Sequence, residues 1–572
     1  MEWLERHARL VTWLALAATF AVYAPTLANG FPFDDAHLVQ PVDASGMPRP
    51  LVAGLRPLGA YFSSHYWAGY YPAGNLYRPL TVLSFALVHV TLGQVVDSAF
   101  AQHLVNVLLH VWTTWLVWRF ACALTRQRLA SLVAALVFGL HAVHTEAVAN
   151  IVGRAEILGF AFGLQALLLL MHEQPRSWRH AASAVLCFLA FCCKESALAW
   201  VAMLPLAVLA RGLAADGRAP WRAAVRALLV SLPGLALFLF LRWRMLQGVG
   251  EVPAVAAAAN PLVLLPTAQR VLTAISILGF ALGKVLFPIR LAADYGPAVF
   301  APVVTITDPR FLASASILAA LLVVAALSAR RRPIVALAIA SFFGFSFITS
   351  NVPFAIGTVF AERLLYMPSV GLALFAAWCA ERVRAHADQG PPQTRHISAA
   401  PLGVVLLLWL AHNAVYSFRR SSMWKNTDTI ALHDVRVQPD SANLQRLASA
   451  AYVSRGDLPS AILCLESAAR LAPSFAASWL NLGTLLWRQG NKQRAAAAWR
   501  DGLRRADPAM KRELASLHKN LVLFVDDRLD AARRAIRRGD KVVARQILES
   551  VLAAADGAAA QRARASELLR GL

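Results

Sequence analysis

Charged residues are scarce in this chain. They make up 15% of its 572 residues, whereas hydrophobic residues make up 58% and the mean hydropathy is +0.52. A soluble globular domain carries roughly 25% charged residues, so the composition excludes a protein that is soluble over its whole length. It indicates an integral membrane protein that is long enough for several domains.

Acidic residues are the scarcer of the two charged classes, with 32 Asp and Glu against 55 Lys and Arg and a net charge of +23. Such an excess of positive charge could bind a nucleic acid. The arginines, however, cluster in short loops between apolar runs, which is how a membrane protein fixes its orientation. We therefore expect membrane lipids, and no nucleic acid, as partners.

Cysteine is rare as well, with six residues in the chain. Five of them lie in or beside apolar runs, and Cys464 stands alone in the C-terminal region. No disulfide framework is indicated, and the pattern is typical of buried thiols.

Apolar segments of spanning length recur along the chain. The first, at 10–28, is too long for the core of a cleavable signal peptide and is predicted to be an uncleaved anchor. Segment 77–95 is short, and segment 261–288 contains Arg270 and Lys284, so both are predicted to be amphipathic helices in the interface. The eleven predicted spans lie near 10–28, 104–124, 129–141, 157–171, 181–193, 197–210, 227–242, 311–328, 334–350, 364–380 and 400–418.

The arginine-rich loops predict the orientation. With the N-terminus inside, one group of loops becomes cytoplasmic and carries most of the basic residues, as the positive-inside rule requires. This group contains Arg126, Arg128, Arg176, Arg179, Arg211, Arg218, Arg222, Arg330, Arg331, Arg332, Arg382, Arg384 and Arg395. Because eleven is odd, the region after the last span should lie outside, on the face of the long first loop. The Ala-, Arg- and Leu-rich composition points to a bacterial inner membrane with a periplasmic active face.

Residues 424–572 form the second predicted domain, after a membrane domain at 1–423. Five positions recur after 34 residues, with Gly456 matching Gly490 and Ala461 matching Ala495 among them. This period is the tetratricopeptide pattern of paired helices, which stack into an α-solenoid. A third, irregular pair follows, with Gly539 at its turn. Such arrays bind peptides or partner proteins on a concave face; a structural spacer is the alternative.

Ionisable motifs gather in the predicted outer loops, where they usually serve a site because burying them is costly. A carboxylate can take the proton of an acceptor hydroxyl, and cations can offset the charge of a phosphate leaving group. The pattern suits the transfer of a sugar from a polyprenyl phosphate. The candidate residues are Asp34, Asp35, Arg78, His141, His144, Glu146, Arg154, Glu156, Lys194, Asp294, Tyr295, Glu362, Arg363 and Tyr366.

The carboxylates of the first loop are the candidate catalytic residues. Asp35 is the first choice for the general base and Asp34 is nearly equal, with the other acid orienting the site or binding a metal. A solvated helix cap is the structural alternative. Arg78, Lys194 and Arg363 are candidate phosphate contacts, with headgroup snorkelling as their alternative.

The remaining candidates are predicted to shape the pocket. Arg154 is a further candidate for donor or phosphate binding, and together with Glu146 and Glu156 it should shape the donor or acceptor pocket; an Arg–Glu pair that fixes the loop is the alternative. His141 and His144 lie three residues apart and with Glu146 or an Asp could hold a divalent cation; hydrogen-bonded loop histidines are the alternative. Asp294 could assist the acceptor or cap a helix, and Glu362, Tyr295 and Tyr366 are candidate lining residues.

The chain resembles a known family over nearly its whole length. The strings FPFDDAHLV, LYRPLTVLSFALVHVTLG, HLVNVLLH, GLHAVHTEAVANIVGRAEIL, CCKESALAW and FAERLLYMPSVGLAL, followed by the repeats, resemble the transmembrane and tetratricopeptide-repeat O-mannosyltransferase (TMTC) group and its bacterial relatives. The resemblance implies a GT-C glycosyltransferase fold. It also implies a polyprenyl- or dolichyl-phosphate sugar donor, typically of mannose, a first-loop acid as catalytic base, and a protein acceptor that the repeats could dock.

Other functions make different demands on the sequence. A transferase of the same fold could act on a glycan or a lipid. A non-enzymatic membrane scaffold, whose repeats organise an envelope complex, would leave the outer-loop acids replaceable. A transporter would carry charges deep in the spans, often in repeated halves, whereas these charges collect at one edge.

Overall fold

A computed structural model describes residues 7–43, 45–70, 74–172, 176–248, 260–389, 400–508, 510–554 and 558–572. Helices dominate these residues, and their one extended pairing is an isolated bridge between Val42 and Pro48. The predicted all-α, polytopic architecture with a helical C-terminal region is confirmed. Arg395, which the topology prediction used, lies outside the described residues.

The helices up to Met423 form the membrane part of the chain. The α-helices are Ala8–Tyr23, Asp35–Leu38, Leu58–Phe62, Pro79–Val90, Ser98–Thr125, Arg128–Gly139, Thr145–Ala149, Arg154–Leu170, Ser177–Cys193, Trp200–Asp216, Trp221–Gly248, Thr267–Leu286, Pro309–Ser328, Pro333–Phe347, Val370–Gln389 and Ala400–Met423. Short 3₁₀ turns connect several of them, at Ala24–Ala28, Leu92–Gln94, Ala142–His144, Ile151–Gly153, Glu195–Ala199, Pro261–Leu264, Pro297–Val299 and Glu362–Leu365.

Eight helical segments of the described residues are long and apolar enough to cross a membrane. They are Arg9–Ala28, Ser98–Thr125, Ile151–Leu170, Glu195–Asp216, Trp221–Gly248, Thr267–Leu286, Pro309–Ser328 and Pro401–Met423. A ninth is possible if Arg128–Gly139 and Ala142–Ala149, which are bent by 47°, form one broken span. The chain is therefore a multi-pass membrane protein.

The segment 261–288 corrects the prediction of an interfacial helix. It contains a 20-residue helix, Thr267–Leu286, with the apolar character of a span. Its two cations lie towards opposite ends and donate to loop carbonyls. Lys284 Nζ lies 2.8 Å from Ile289 O, and Arg270 Nη1 lies 2.8 Å from Asn351 O. Because these charges are satisfied by the protein, they do not prevent the helix from spanning the bilayer.

Four of the eleven predicted spans, near 129–141, 181–193, 334–350 and 364–380, are not among the eight long apolar helices of the described residues. Arg128–Gly139 has 12 residues, Ser177–Cys193 has 17 and Pro333–Phe347 has 15, while Val370–Gln389 becomes charged in its second half. Hydropathy overestimates them because it cannot distinguish segments buried in protein from those that face lipid. Pro79–Val90 is short, as predicted for 77–95.

The membrane core fixes the helix Arg154–Leu170, whose first turn contains the candidate residues Arg154 and Glu156. Phe160 stacks on Trp200 with ring centroids 5.6 Å apart, and Trp200 meets Phe345 at 4.9 Å. Gly163 leaves room for the indole, since a Cβ there would lie 2.0 Å from Trp200 Nε1. This packing holds Arg154–Leu170 in place, so the side chains of its first turn have fixed positions.

The C-terminal region is an array of helical hairpins. Its helices are Thr427–Val437, Ala442–Ser454, Leu458–Leu471, Ala476–Arg488, Lys492–Arg505, Lys511–Arg537, Lys541–Ala554 and Ala559–Arg570. Gly456 and Gly490 take left-handed φ angles of 78° and 87° at turns 34 residues apart. The next residues, Asp457 and Asn491, cap the following helices. The sequence period therefore corresponds to a repeated turn and cap.

Candidate active site

Loops from distant parts of the chain meet at one end of the helix bundle through three ion pairs. Arg78 Nε lies 2.9 Å from Glu195 Oε2, and Lys194 Nζ lies 2.8 Å from Glu156 Oε1. The third pair joins Arg363 to Glu146, whose other oxygen accepts from the Arg363 backbone N–H at 2.8 Å. We call these six residues the ion-pair cluster. It unites the three cations that the sequence predicted as phosphate contacts.

The cluster is electrostatically connected and largely buried. Burial lowers the pKa of Lys194, and Arg78 and Arg363 act in the same direction, while Glu156 opposes them. Burial also lowers the pKa of Arg363, but Glu146 and then Asp34 outweigh it, so the net pKa is raised. With 28% of its side chain exposed, Arg363 is the most accessible of the three cations.

Asp35 is an anchor between two loops. Its side chain is fully buried, and its two carboxylate oxygens each accept a backbone N–H at 2.8 Å, one from Ile151 and one from Val152. The Asn150 amide, with its nitrogen towards Asp35, donates to the same oxygens at 2.8 and 3.1 Å. Burial raises the pKa of Asp35 well above its ordinary value, against the opposing effect of these N–H groups. Both oxygens are thus occupied and shielded from solvent.

Asp34 is the more accessible acid of the pair. It is partly exposed, and its charge contributes to the raised pKa values of Arg363 and of Tyr66. Tyr66 in turn carries the Arg78 guanidinium over its ring, 4.7 Å from the centroid. Asp34 is therefore linked electrostatically to the ion-pair cluster, through Arg363 and through Tyr66. Sequence reasoning did not select Tyr66, which no charged neighbour in the sequence marks, or Glu195, which adjoins Lys194.

Arg154 is a structural residue within this arrangement. It is fully buried and uses all three guanidinium nitrogens, donating to Asn106 Oδ1 at 2.7 Å, Gln102 O at 2.8 Å and Ser84 O at 3.3 Å. It also lies over the Phe85 ring. These contacts tie the start of the helix Arg154–Leu170 to the neighbouring helices. They give Arg154 a loop-fixing role through hydrogen bonds and not through the predicted ion pair, since Glu146 and Glu156 pair with Arg363 and Lys194, and they leave no guanidinium nitrogen of Arg154 free for a phosphate.

His141 and His144 form hydrogen bonds to protein groups. His141 Nε2 lies 2.9 Å from Val285 O, and its Nδ1 accepts the Val143 N–H. His144 Nε2 lies 2.7 Å from Ser369 Oγ. Within the described ranges no group of three His, Cys, Asp or Glu side chains is arranged to hold a metal ion. The geometry favours hydrogen-bonded loop histidines over a divalent-cation site.

The loop that contains Asp294 and Tyr295 bridges the turn Glu362–Leu365, which also contains Arg363, and the C-terminal helices. On one side, Glu362 Oε1 accepts from Tyr295 Oη at 2.5 Å and from the Ala292 N–H at 2.7 Å. On the other, Asp294 Oδ2 accepts from Ser441 Oγ at 2.5 Å. Asp294 therefore joins two parts of the protein. Tyr366 is fully buried and hydrogen-bonded to His110, so it belongs to the core and does not line an open pocket.

Substituting Asp35 with asparagine should destabilise the protein. The new side chain keeps one acceptor oxygen, while its NH₂ group meets a backbone N–H of Ile151 or Val152. A buried donor left without a partner costs about 1–3 kcal/mol, so the melting temperature in detergent should fall. If Asp35→Asn melts at the wild-type temperature but is inactive, the anchoring role is contradicted and Asp35 is again the first candidate for the general base.

Glu362 should make stability depend on pH. Burial raises its pKa from 4.5 to about 8, so the folded protein holds a proton that the unfolded chain releases. Stability from this group is full below about pH 4.5 and declines as pH rises to about 8. Glu362→Gln stays neutral and keeps an acceptor for Tyr295. Its melting temperature should rise relative to wild type by about 3 °C between these pH values; parallel melting curves would contradict this prediction.

The fold and the site define a multi-pass membrane protein with a buried charge cluster at one end and a helical C-terminal region beside it. No defined protein family matches the chain by its sequence profile. It is 26% identical over 443 residues to "Protein O-mannosyl-transferase F38B6.6" of Caenorhabditis elegans, covering 75% of this chain and 58% of that protein. It is 24% identical over 502 residues to "Protein O-mannosyl-transferase TMTC3" of Homo sapiens, covering 82% and 52%.

A further relative adds a higher identity over a shorter region. "Protein O-mannosyl-transferase Tmtc2" of Drosophila melanogaster is 32% identical over 308 residues, which are 52% of this chain and 31% of that protein. The resemblance to the TMTC group is confirmed by these relatives. The chain spans about half the length of the curated relatives it matches first.

Proposed function

We propose that the chain is a membrane glycosyltransferase of the GT-C type that moves a sugar, typically mannose, from a polyprenyl phosphate to a protein hydroxyl. The names of the relatives support the reaction class. The observation that carries the proposal is the gathering of Arg78, Lys194 and Arg363 beside an accessible first-loop acid. A lipid-linked phosphate sugar needs cations at the membrane edge and a base within reach of them.

Asp34 acts as the general base in this proposal, and Asp35 holds the loop. The Asp34 carboxylate takes the proton of the acceptor hydroxyl as the hydroxyl oxygen bonds to the anomeric carbon of the sugar. The bond from that carbon to the phosphate oxygen breaks with its electron pair, and the polyprenyl phosphate leaves. Attack opposite the leaving group inverts the anomeric configuration.

The cations of the ion-pair cluster stabilise the leaving phosphate. Arg363 is the first of them, because its planar guanidinium suits two phosphate oxygens and it is the most exposed. Lys194 and Arg78 add positive charge behind it. Their carboxylate partners hold them in position before the donor arrives, so little reorganisation accompanies the reaction.

The active face and the C-terminal helices are proposed to lie outside the cytoplasm, opposite the arginine-rich loops. The first loop and the start of the C-terminal region are on one side of the bundle, since the Gly30 N–H donates to Lys425 O at 2.8 Å. The C-terminal repeats are proposed to dock the protein acceptor there.

Exchanging acceptors in one assay tests this function. Purified protein in lipid nanodiscs is incubated with radiolabelled polyprenyl-phosphate mannose and one acceptor class. The acceptor is a membrane-protein fraction in the first reaction, free glycans in the second and lipids in the third. Label in protein at serine or threonine supports the proposal. Label in glycans or lipids would identify a transferase with another acceptor. A non-enzymatic scaffold would be favoured by two results together. No label would be transferred from several lipid-linked sugars, and the outer-loop acids could be substituted without loss of the protein's cellular role.

A further inference from the structure

The residue before the acidic pair has an unusual backbone conformation. Phe33 has a φ of 46°, in the left-handed region that a bulky L-residue rarely adopts. Such a conformation costs of order 1–3 kcal/mol and persists only where the surroundings impose it. It sets the direction in which the chain enters Asp34, which begins the short helix Asp35–Leu38 as its N-cap residue. Something must therefore hold Phe33.

The start of the C-terminal region holds it. The Phe33 N–H donates to Thr427 Oγ1 at 2.9 Å, and the Phe33 ring meets the Trp424 ring edge-on at 5.7 Å. Trp424 is 1% exposed, and Thr427 is the first residue of the helix Thr427–Val437. The hydrogen bond from the Gly30 N–H to Lys425 O adds a third contact between segments 30–33 and 424–427. These contacts join segments almost four hundred residues apart in sequence.

Asp34 thus lies between two anchors. On its C-terminal side, Asp35 is fixed to the backbone of Ile151 and Val152. On its N-terminal side, Phe33 is fixed to Thr427 and Trp424. Asp34 itself is left partly exposed between them.

We propose that Thr427 and Trp424 are positioning residues for the Asp34 carboxylate, so that the first turn of the C-terminal domain is a working part of the active site as well as the base of the repeat array. The proposal rests on the proposed function. Without the Thr427 hydroxyl, Phe33 can relax towards negative φ and displace Asp34. The ion-pair cluster does not depend on this contact, because Glu146 holds Arg363 from another loop. Loss of the contact should therefore change turnover more than donor binding.

The test compares Thr427→Val, which replaces the hydroxyl by a methyl group, with Thr427→Ser, which restores the hydroxyl. Thr429→Val is the matched control, because the Thr429 hydroxyl lies near the surface two residues away and donates to Asn426 Oδ1 at 2.9 Å. Two quantities are measured on the full-length protein in nanodiscs. One is the hydrogen exchange of the segment 30–38. The other is kcat and KM for polyprenyl-phosphate mannose.

In Thr427→Val, exchange of the segment 30–38 should rise and kcat should fall, each by about tenfold, while KM for the donor stays within about twofold. Thr427→Ser and Thr429→Val should behave like wild type. Unchanged exchange in Thr427→Val, or a Thr427→Ser variant as impaired as Thr427→Val, would overturn the proposal. If wild type transfers no sugar, the proposed function fails separately, and the exchange result alone decides whether Thr427 holds the loop.

Discussion

Substituting Asp34 with asparagine should reduce sugar transfer by about a thousandfold. The carboxamide has the shape of the carboxylate but cannot take the acceptor proton, and a positioned general base contributes roughly 10²–10⁴ in rate. The loop should keep its structure, because the anchoring contacts belong to Phe33 and Asp35. Initial rates in nanodiscs, normalised to the fraction of folded protein, measure the effect.

The control for this substitution is Asp43→Asn. Asp43 belongs to the same loop but is exposed, and its side chain accepts from Ser45 and Met47. The Asp43→Asn variant should transfer sugar at nearly the wild-type rate. An Asp34→Asn variant that retains more than about a tenth of the rate would show that another group takes the proton.

Breaking the Arg420–Asp434 pair should have the largest effect on stability. The guanidinium donates to both carboxylate oxygens, at 2.5 and 2.7 Å, and the two side chains are 1% and 0% exposed. Burial alone would raise the pKa of Asp434, but Arg420 outweighs it and the pKa is lowered. Arg420→Leu removes both guanidinium contacts of this buried acid and leaves it with His433, whose Nδ1 lies 2.7 Å from Asp434 Oδ1, and with a backbone N–H. Removing one member of a buried pair costs about 3–5 kcal/mol.

The loss should be local to the junction between the membrane helices and the C-terminal region. Arg420 lies in the last turn of the helix Ala400–Met423, and Asp434 also accepts the Ala293 N–H at 2.6 Å. Thermal melting and limited proteolysis near the junction measure the loss. The double variant Arg420→Leu/Asp434→Leu should recover much of the stability, since no unpaired charge remains. Lys492→Ala, which breaks the exposed pair with Asp527, should have little effect. Normal melting of Arg420→Leu would contradict this account.

The sequence indicates candidate charged residues because ionisable groups stand out against apolar surroundings. Arg78, Lys194 and Arg363 were selected in this way, and the structure brings them together. Their partners could not be predicted from one sequence, since Arg363 and Glu146 are 217 residues apart. One sequence also could not show which of Asp34 and Asp35 is the anchor and which is the candidate base. The distinction depends on which side chain faces the protein interior, and neighbouring residues in a short loop carry no periodic signal for that.

The spans show a second limit. The spans near 311–328 and 227–242 are predicted because they are long apolar runs, and the helices that contain them, Pro309–Ser328 and Trp221–Gly248, are largely exposed. The predicted span 129–141 is apolar as well, but its helix Arg128–Gly139 has 12 residues and is followed by short turns that are buried within the protein. Hydropathy treats both kinds alike. The contact between Thr427 and Phe33 carries no sequence signal, because one hydroxyl and one backbone N–H are ordinary groups.

The donor provides the most direct test of the central claim. Purified wild-type protein in nanodiscs is given radiolabelled mannose either on a polyprenyl phosphate or on a nucleotide, at equal concentration and with the same protein acceptor. A site of membrane-edge cations beside Asp34 predicts label in protein from the lipid-linked donor only. Transfer from the nucleotide sugar, or from neither donor while the protein is folded, would contradict it.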